Sequence, residues 1–573
     1  MKAKIIFRAG AAAVLGALVM ALALAKEPTD RTGKKSSLQK TTGDPVYAVL
    51  NINNLTTWAR YDGHSNHSPG GDDGLIYPRG TGSVIYQDCV AWGGKVFTNA
   101  AKTAVAPRQP IRVGGGSYGI GTRAGAVTGS GPTAVAESQS DATVRIFRIR
   151  RDYYSMSEAD LTRDAAVVNE IAEGAVTASL RAAVLSAYAD AWTNWPATTK
   201  GAPYIERNGT PGYQAPPAFS ATFTVDSLID QNQDEPGVSG SDPNSPADQV
   251  IWTVYNDLLV DEAITFVGSE SMGLEVQKTV WGYKRTDALG NLYFSRYKLI
   301  NKGGVDTDTT TGDQLGSFWI DSMYICQWSD PDLGNAGDDV LGCDTTLSLG
   351  YIYNGNAVDA EYAGFKLAPP SVGYDFLGGP LVPAPGDSAV FDLKRRQNFK
   401  NLGMSTFAYF SAGSPYSDPP GDYLNGSGRW WKMLRGFAPL GTFATADQPY
   451  ASGTFPVSKF PLSGDPVAGT GFLDGKGTSS SFPPGDRRLL VITGPFSMAP
   501  GDTQEIYIGV VAGLGSDRLT SVAVMKFNDR FVQNTFSALF QVPRAPAAPD
   551  VKVAELDGEI ILDANAPAGT NRR

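Results

Sequence analysis

Apolar and polar residues alternate through much of this chain. In LEVQKTVWGY, Leu274, Val276, Lys278, Val280 and Gly282 fall on one side of an extended segment, against Glu275, Gln277, Thr279 and Trp281 on the other. A period of two predicts antiparallel sheet with one face covered. Strand-like runs bounded by turn residues also include YAVLNINNLTTWARYDG, SVIYQDCVAWGGKVF, TVRIFRIRRDYY (143–154), DQVIWTVYNDL, LYFSRYKLIN, GSFWIDSMYICQW, TLSLGYIYN, RRLLVITGPF and EIYIGVVAGL. Two stretches break this pattern with helical spacing. In 157–188, Ser157 is a candidate cap with Asp160 three residues on, and Leu161, Ala165, Val168, Ala172, Val176, Leu180, Val184 and Tyr188 recur on one face. Gly174 bends this helix or splits it in two. In 517–536, Ser516 is the candidate cap and Val524, Phe527 and Phe531 share a side. The predicted fold is mainly β: an antiparallel, β-sandwich-like multidomain protein with a few packed helices.

The first residues follow a different rule. Lys2, Lys4 and Arg8 precede an apolar run from Ala9 to Leu22, and Ala23-Leu24-Ala25 has the small residues of a cleavage site, so 1–25 read as a secretory signal peptide. The run is shorter than the ~20 residues that span a bilayer, and no second such run follows, so no transmembrane segment is expected after cleavage. Residues 26–43 are a polar, flexible lead-in. A β-rich region 44–260 with the first helix is followed by a second, 261–545, and residues 546–573 are a Pro-rich linker and an incomplete domain start, expected to be truncated or disordered because a half-sandwich cannot bury its face. Loss of Lys2, Lys4 and Arg8 would move the net charge from −10 to −13. That excess of carboxylates argues against nucleic acid as a partner. Gly 65 and Pro 37, with only 18% charged residues, describe a loop-rich extracellular protein, and 10% aromatics supply a core.

Candidate chemistry concentrates between Trp328 and Tyr353. Asp330, Asp332, Asp338, Asp339 and Asp344 fall in one Gly-interrupted stretch, WSDPDLGNAGDDVLGCDTTLSLGYIY. Ca²⁺ takes six to eight oxygen ligands, and alternate donors ahead of a tight turn suit it. This reading makes the five aspartates calcium ligands. The competing reading makes them turn residues that cap backbone N–H groups. Cys326 and Cys343 bracket the stretch and either close it as a disulfide or lie buried as thiols, as Cys89 would.

Other constellations are weaker. Gly115-Gly116-Ser117-Tyr118-Gly119 matches the serine-hydrolase elbow, but the two histidines, His64 and His67, lie upstream of it. Those histidines, with Asp62, Asp72 and Asp73, sit in a Gly/Pro-rich segment and read as exposed loop residues rather than a metal site. A glycosidase needs only two carboxylates, which the sequence does not pair. Trp430-Trp431, Tyr47, Trp58 and Tyr61 either stack on sugar rings or plug the core.

The ordered motifs NINNLTTWARYDG, VAWGGKVF, RVGGGSYGIG, WPATTKGAPY, MGLEVQKTVWGY, NLGMSTFAYF, SGDPVAGTGFLDG, GPFSMAPGDTQEI and KFNDRF, together with the acidic stretch, resemble a family of large, uncharacterised secreted bacterial proteins over roughly residues 45–545. Many members of that family continue into a fibronectin type III-like domain and a sorting domain for type IX secretion. The tail PAAPDVKVAELDGEIIL is similar to the first two fibronectin strands, and the sequence ends before the remaining five. At Ile205–Tyr213, where relatives carry an Asp-rich loop, only Glu206, Asn208 and Gly209 keep ligand-like chemistry. The resemblance implies an exported surface protein. The expected function is thus a secreted, calcium-stabilised structural or adhesive protein of the bacterial surface, without catalysis. Extracellular polysaccharide or other surface proteins are its expected partners. The alternative is a secreted glycan-binding protein or polymer hydrolase using paired carboxylates.

Overall fold

The computed structural model describes residues 45–71, 74–207, 213–214, 234–240, 242–308, 314–542, 550–556 and 559–565. The predicted signal peptide and lead-in, Asp72, Asp73, Asn208 and Gly209 lie outside them. In chain order the elements that build the core are β1 (Gln87–Phe97), β2 (Ile111–Gly115), β3 (Phe147–Arg150), α1 (Glu158–Val168), α2 (Ala178–Thr193), β4 (Gln249–Asn256), β5 (Leu274–Gly282) and β6 (Leu292–Asn301). There follow β7 (Trp319–Asp330), β8 (Asp339–Asp344), β9 (Leu349–Asn354), β10 (Ser371–Gly378), β11 (Thr406–Ser411), β12 (Arg487–Met498), β13 (Thr503–Gly513) and α3 (Arg518–Ser537).

The fold is mainly β and its two large sheets are antiparallel. One is five-stranded, in the order β11-β12-β7-β1-β2. The other is nine-stranded, β3-β4-β5-β6-β13-β10-β9-β8, with the short strand Arg123–Ala124 beside β4. Strands on both sides of residue 260 pair directly, β4 with β5, so the regions 44–260 and 261–545 share one sheet. The sheets pack face to face. Val90, Trp92, Ile325, Phe407 and Val491 from the smaller join Ile251, Val276, Tyr297, Tyr374 and Ile508 from the larger in one buried cluster. They approach closely at Gly350, where an added Cβ would lie 2.7 Å from Val491.

The outer face of the nine-stranded sheet is covered too. Trp252, Trp281, Phe294 and Tyr507 pack there with Val522, Met525, Val532 and Phe536 of α3 and with Phe540. Trp281 stacks on Phe294 with centroids 5.6 Å apart, and Phe540 meets both edge-on. The expectation of one covered face is therefore corrected for β5: Glu275, Gln277, Thr279 and Trp281 are buried as well as Leu274, Val276, Lys278 and Val280.

The helical expectations are refined likewise. The stretch 157–188 is two helices, α1 capped by Ser157 and α2 by Thr177, with Gly174 in the turn between them. The cap of α3 is Asp517 rather than Ser516. Its buried side carries Met525, Asn528, Asp529 and Val532, while Phe527 and Phe531 face outward, 57% and 42% exposed. The three cysteines are free and buried. Cys326 lies on β7 and Cys343 on β8, in different sheets, so the thiol alternative holds and the disulfide does not. In the tail, Asp550–Leu556 and Glu559–Asn565 pair as an antiparallel hairpin. Among the described residues no helix is long and apolar enough to cross a membrane.

Candidate functional site

The acidic stretch leaves the five-stranded sheet at the end of β7 and re-enters the nine-stranded sheet as β8. Gly334, at φ +61°, makes the turn, and an added Cβ there would lie 2.4 Å from Asp359 Oδ1. Asp359, which no sequence signal singled out, fastens the loop. Its Oδ2 accepts from the Asn335 N–H at 2.9 Å, and its Oδ1 accepts from the Tyr362 N–H at 2.9 Å as the cap of a short helix.

The five aspartates take four separate roles. Asp338 is held by two amides: Asn354 Nδ2 donates to its Oδ1 at 3.3 Å and Asn356 Nδ2 to its Oδ2 at 2.9 Å. Asp339 is fully buried; its Oδ2 accepts from the Leu333 N–H at 3.1 Å, and its Oδ1 meets no donor. Burial, with Asp332 and Asp338 nearby, pushes its carboxyl well above the usual range. Asp344 is committed elsewhere: Lys526 of α3 donates to its Oδ2 at 2.8 Å. That pair holds the Asp344 carboxyl below its ordinary value in spite of its burial.

Asp330 and Asp332 converge with a residue from far along the chain. One oxygen from each of Asp330, Asp332 and Asp486 lies within 4.8 Å of the others, and no other such acidic, histidine or cysteine group occurs among the described residues. Pairing of β7 with β12 places Ser329 opposite Leu489 and so carries Asp330 beside Arg488. Arg488 Nε stands 3.3 Å from Asp330 Oδ1 but gives its proton to Tyr118 Oη at 2.5 Å, and Arg488 Nη1 reaches Asp486 at 2.5 Å. The Tyr118 hydroxyl donates to Asp330 Oδ2 at 2.6 Å. Asp330 Oδ1 has no hydrogen-bond donor. Burial raises the Asp330 carboxyl to about 7 against the opposing pull of Arg488. The donor set is all oxygen, which suits a hard divalent cation. Asp486, Arg488 and Tyr118 were invisible as a group because sheet pairing, not sequence proximity, assembles them.

A second feature is a groove of about 1280 Å³ whose lining includes Glu137, Lys200, Glu275, Gln277, Lys302 and Trp319. Its carboxylates differ. Glu137 accepts from Lys200 Nζ at 2.7 Å, whereas Glu275 is buried, accepts from the Val127 N–H at 2.6 Å and from Gln277 Nε2 at 3.1 Å, and is raised by desolvation. Trp319 is half-buried in the wall.

The remaining candidates resolve into structural roles. His64 is not an exposed loop residue: it is buried, its Nε2 hydrogen-bonds with the Ser117 carbonyl at 2.8 Å, and burial together with Arg60 drives its pKa to about 3. A neutral imidazole aimed at the Ser117 carbonyl does not activate the Ser117 hydroxyl, so the elbow-like motif is incidental. Trp430, Trp431, Trp58 and Tyr61 are buried core aromatics; Trp430 packs against Phe266 at 5.1 Å. Glu206 pairs with Lys394 at 2.7 Å. In comparisons with known proteins, no family model matches the chain and no curated protein matches it significantly.

Proposed function

We propose that this is a secreted structural or adhesive protein of the bacterial surface, whose acidic loop is tied to the β-sandwich by a divalent cation such as Ca²⁺. The convergence of Asp330, Asp332 and Asp486 carries the reading. These three carboxylates meet at the seam where the loop reaches β12, with Arg488 pairing to Asp330 and Asp486. A cation bound only by the folded arrangement adds to its stability in proportion to its occupancy. The motif resemblance supports export and a surface role.

Two substitutions separate this site from the rest of the acidic stretch. Thermal melts with calcium and with a chelator should differ by several degrees for the parent protein. Asp486→Asn should abolish the difference. Asp344→Asn should preserve it, because Asp344 is bound to Lys526. Equal melts of the parent protein in the two conditions would remove the cation.

The groove favours a second reading, glycan binding, because it sets a half-buried tryptophan among hydroxyls, amides and two unlike carboxylates. In gels cast with neutral polysaccharide the protein should then be retarded and Trp319→Ala should not. Unretarded migration of the parent protein sinks that reading.

A further inference from the structure

The interior of the sandwich brings a lysine, an asparagine and an aspartate into one buried cluster. Lys278 of β5 is on the inward face of the nine-stranded sheet and 1% exposed, Asp88 of β1 is on the five-stranded sheet and 2% exposed, and Asn66 is fully buried. The loop carrying Asn66 is fastened to β1, since the Ser65 N–H donates to the Asp88 carbonyl at 3.0 Å and the Asp88 N–H donates back at 3.1 Å. Lys278 reaches across the core to that loop. Its ammonium donates to the Gly63 carbonyl at 3.1 Å and to Ser65 Oγ, the residue adjoining Asn66, and it makes no ion pair within 4 Å among the described residues.

The Asn66 amide is oriented on both sides. Its Oδ1 accepts from Thr57 Oγ1, and its Nδ2 donates to Asp88 Oδ2 at 2.5 Å. Asp88 Oδ2 also accepts from the Tyr374 hydroxyl at 2.8 Å, while its Oδ1 meets no donor. Tyr297 lies under the lysine, its ring centroid 5.3 Å from Nζ.

We propose that Lys278 and Asn66 condense into an intramolecular amide bond, with Asp88 as the proton carrier, covalently tying the nine-stranded sheet to the loop that is fastened to β1 of the other sheet. Nζ attacks Cγ of Asn66, the Cγ–Nδ2 bond breaks, and Asp88 transfers the proton shed by the amine to the departing nitrogen. One ammonia leaves and no oxidant or cofactor is required. The surroundings favour each role. Burial lowers the lysine's pKa towards a neutral nucleophilic amine and raises that of Asp88 towards the proton-bearing acid, each opposed in part by the other's charge. Buried Tyr297 and Tyr374 screen the cluster from bulk solvent. Neither Lys278 nor Asn66 nor Asp88 belongs to the cation cluster, so the two proposals stand or fall separately.

Mass spectrometry of the purified full-length protein tests it. Intact mass under denaturing, reducing conditions should fall short of the sequence mass, corrected for the observed N-terminus, by about 17 Da, one ammonia. After trypsin, the peptide 61–79 should appear joined to a peptide spanning Lys278, uncut after that lysine. Asp88→Ala should restore the full mass and the two linear peptides. Linear peptides from the parent protein would overturn the proposal, and so would a loss of about 18 Da mapping to Asp88, which would make Asp88 the acceptor. The parent measurement decides the matter even if the variant fails to fold.

Discussion

Replacing Asp474 with alanine should lower the unfolding free energy by about 3–5 kcal/mol, because it strands a buried arginine. Arg487 at the start of β12 is 2% exposed and Asp474 is 4% exposed. Arg487 Nε donates to Asp474 Oδ2 at 2.9 Å and Nη2 to Oδ1 at 3.3 Å; Nη1 reaches Ser411 Oγ at 2.7 Å, and Nη2 also reaches the Pro483 carbonyl. Asp474 Oδ2 accepts in addition from the Leu341 N–H at 3.0 Å, which fastens β8 to the long loop between β11 and β12. Alanine would leave the guanidinium without its counter-charge and Leu341 without its acceptor, and these losses compound. Urea unfolding of parent and variant reads the difference. A loss below about 1 kcal/mol would mean that water enters and solvates Arg487, so that the pair is not sealed as drawn.

The second large effect is one of pH. Asp375 of β10 and Asp529 of α3 are fully buried and set against each other between sheet and helix, and none of their four carboxylate oxygens meets an ordinary hydrogen-bond donor. Nearby charges do not neutralise them. Lys526 is engaged by Asp344, Arg530 is exposed, and Gln533 is the polar neighbour. Burial, and for Asp375 the facing Asp529, raises both carboxyls, that of Asp529 to about 7. Two such groups titrate as a unit that keeps a proton in the folded state. Because the folded values lie above the unfolded one, the pair's contribution is complete below about pH 4 and is lost as pH rises towards 7. Between those limits the parent's urea midpoint, measured with chelator present, should fall more steeply than that of the double variant Asp375→Asn/Asp529→Asn. At pH 8 the double variant should be the more stable by about 2–4 kcal/mol. Parallel slopes would show that water or a cation already neutralises the pair.

Neither effect was legible in the sequence. Asp474 lies in a Gly- and Ser-rich loop with nothing to mark it as the partner of Arg487. Asp529 sits in the helical stretch whose apolar side was expected around Phe527 and Phe531, yet α3 turns Asn528 and Asp529 inward and those phenylalanines outward. The acidic stretch was conspicuous, but its members disperse: to Asn354 and Asn356, to Lys526, and to a cluster completed by Asp486.

Alternation along β5 was enough by itself to establish a strand, its antiparallel sheet character and the sharing of a face by every second residue, because the pleat obliges alternate side chains to point the same way, and strand-like runs marked β4, β6 and β13. The helical spacing around Ser157 did the same for α1 and α2, with Gly174 as the break. Only the tertiary structure decided that both faces of β5 are covered, that Lys278 on its apolar side reaches Gly63 and Ser65 in the loop that carries Asn66, and that Asp330 finds Asp486. Those outcomes depend on which strands become neighbours and which layer lies over them. A periodicity within one strand carries no information about a partner hundreds of residues away.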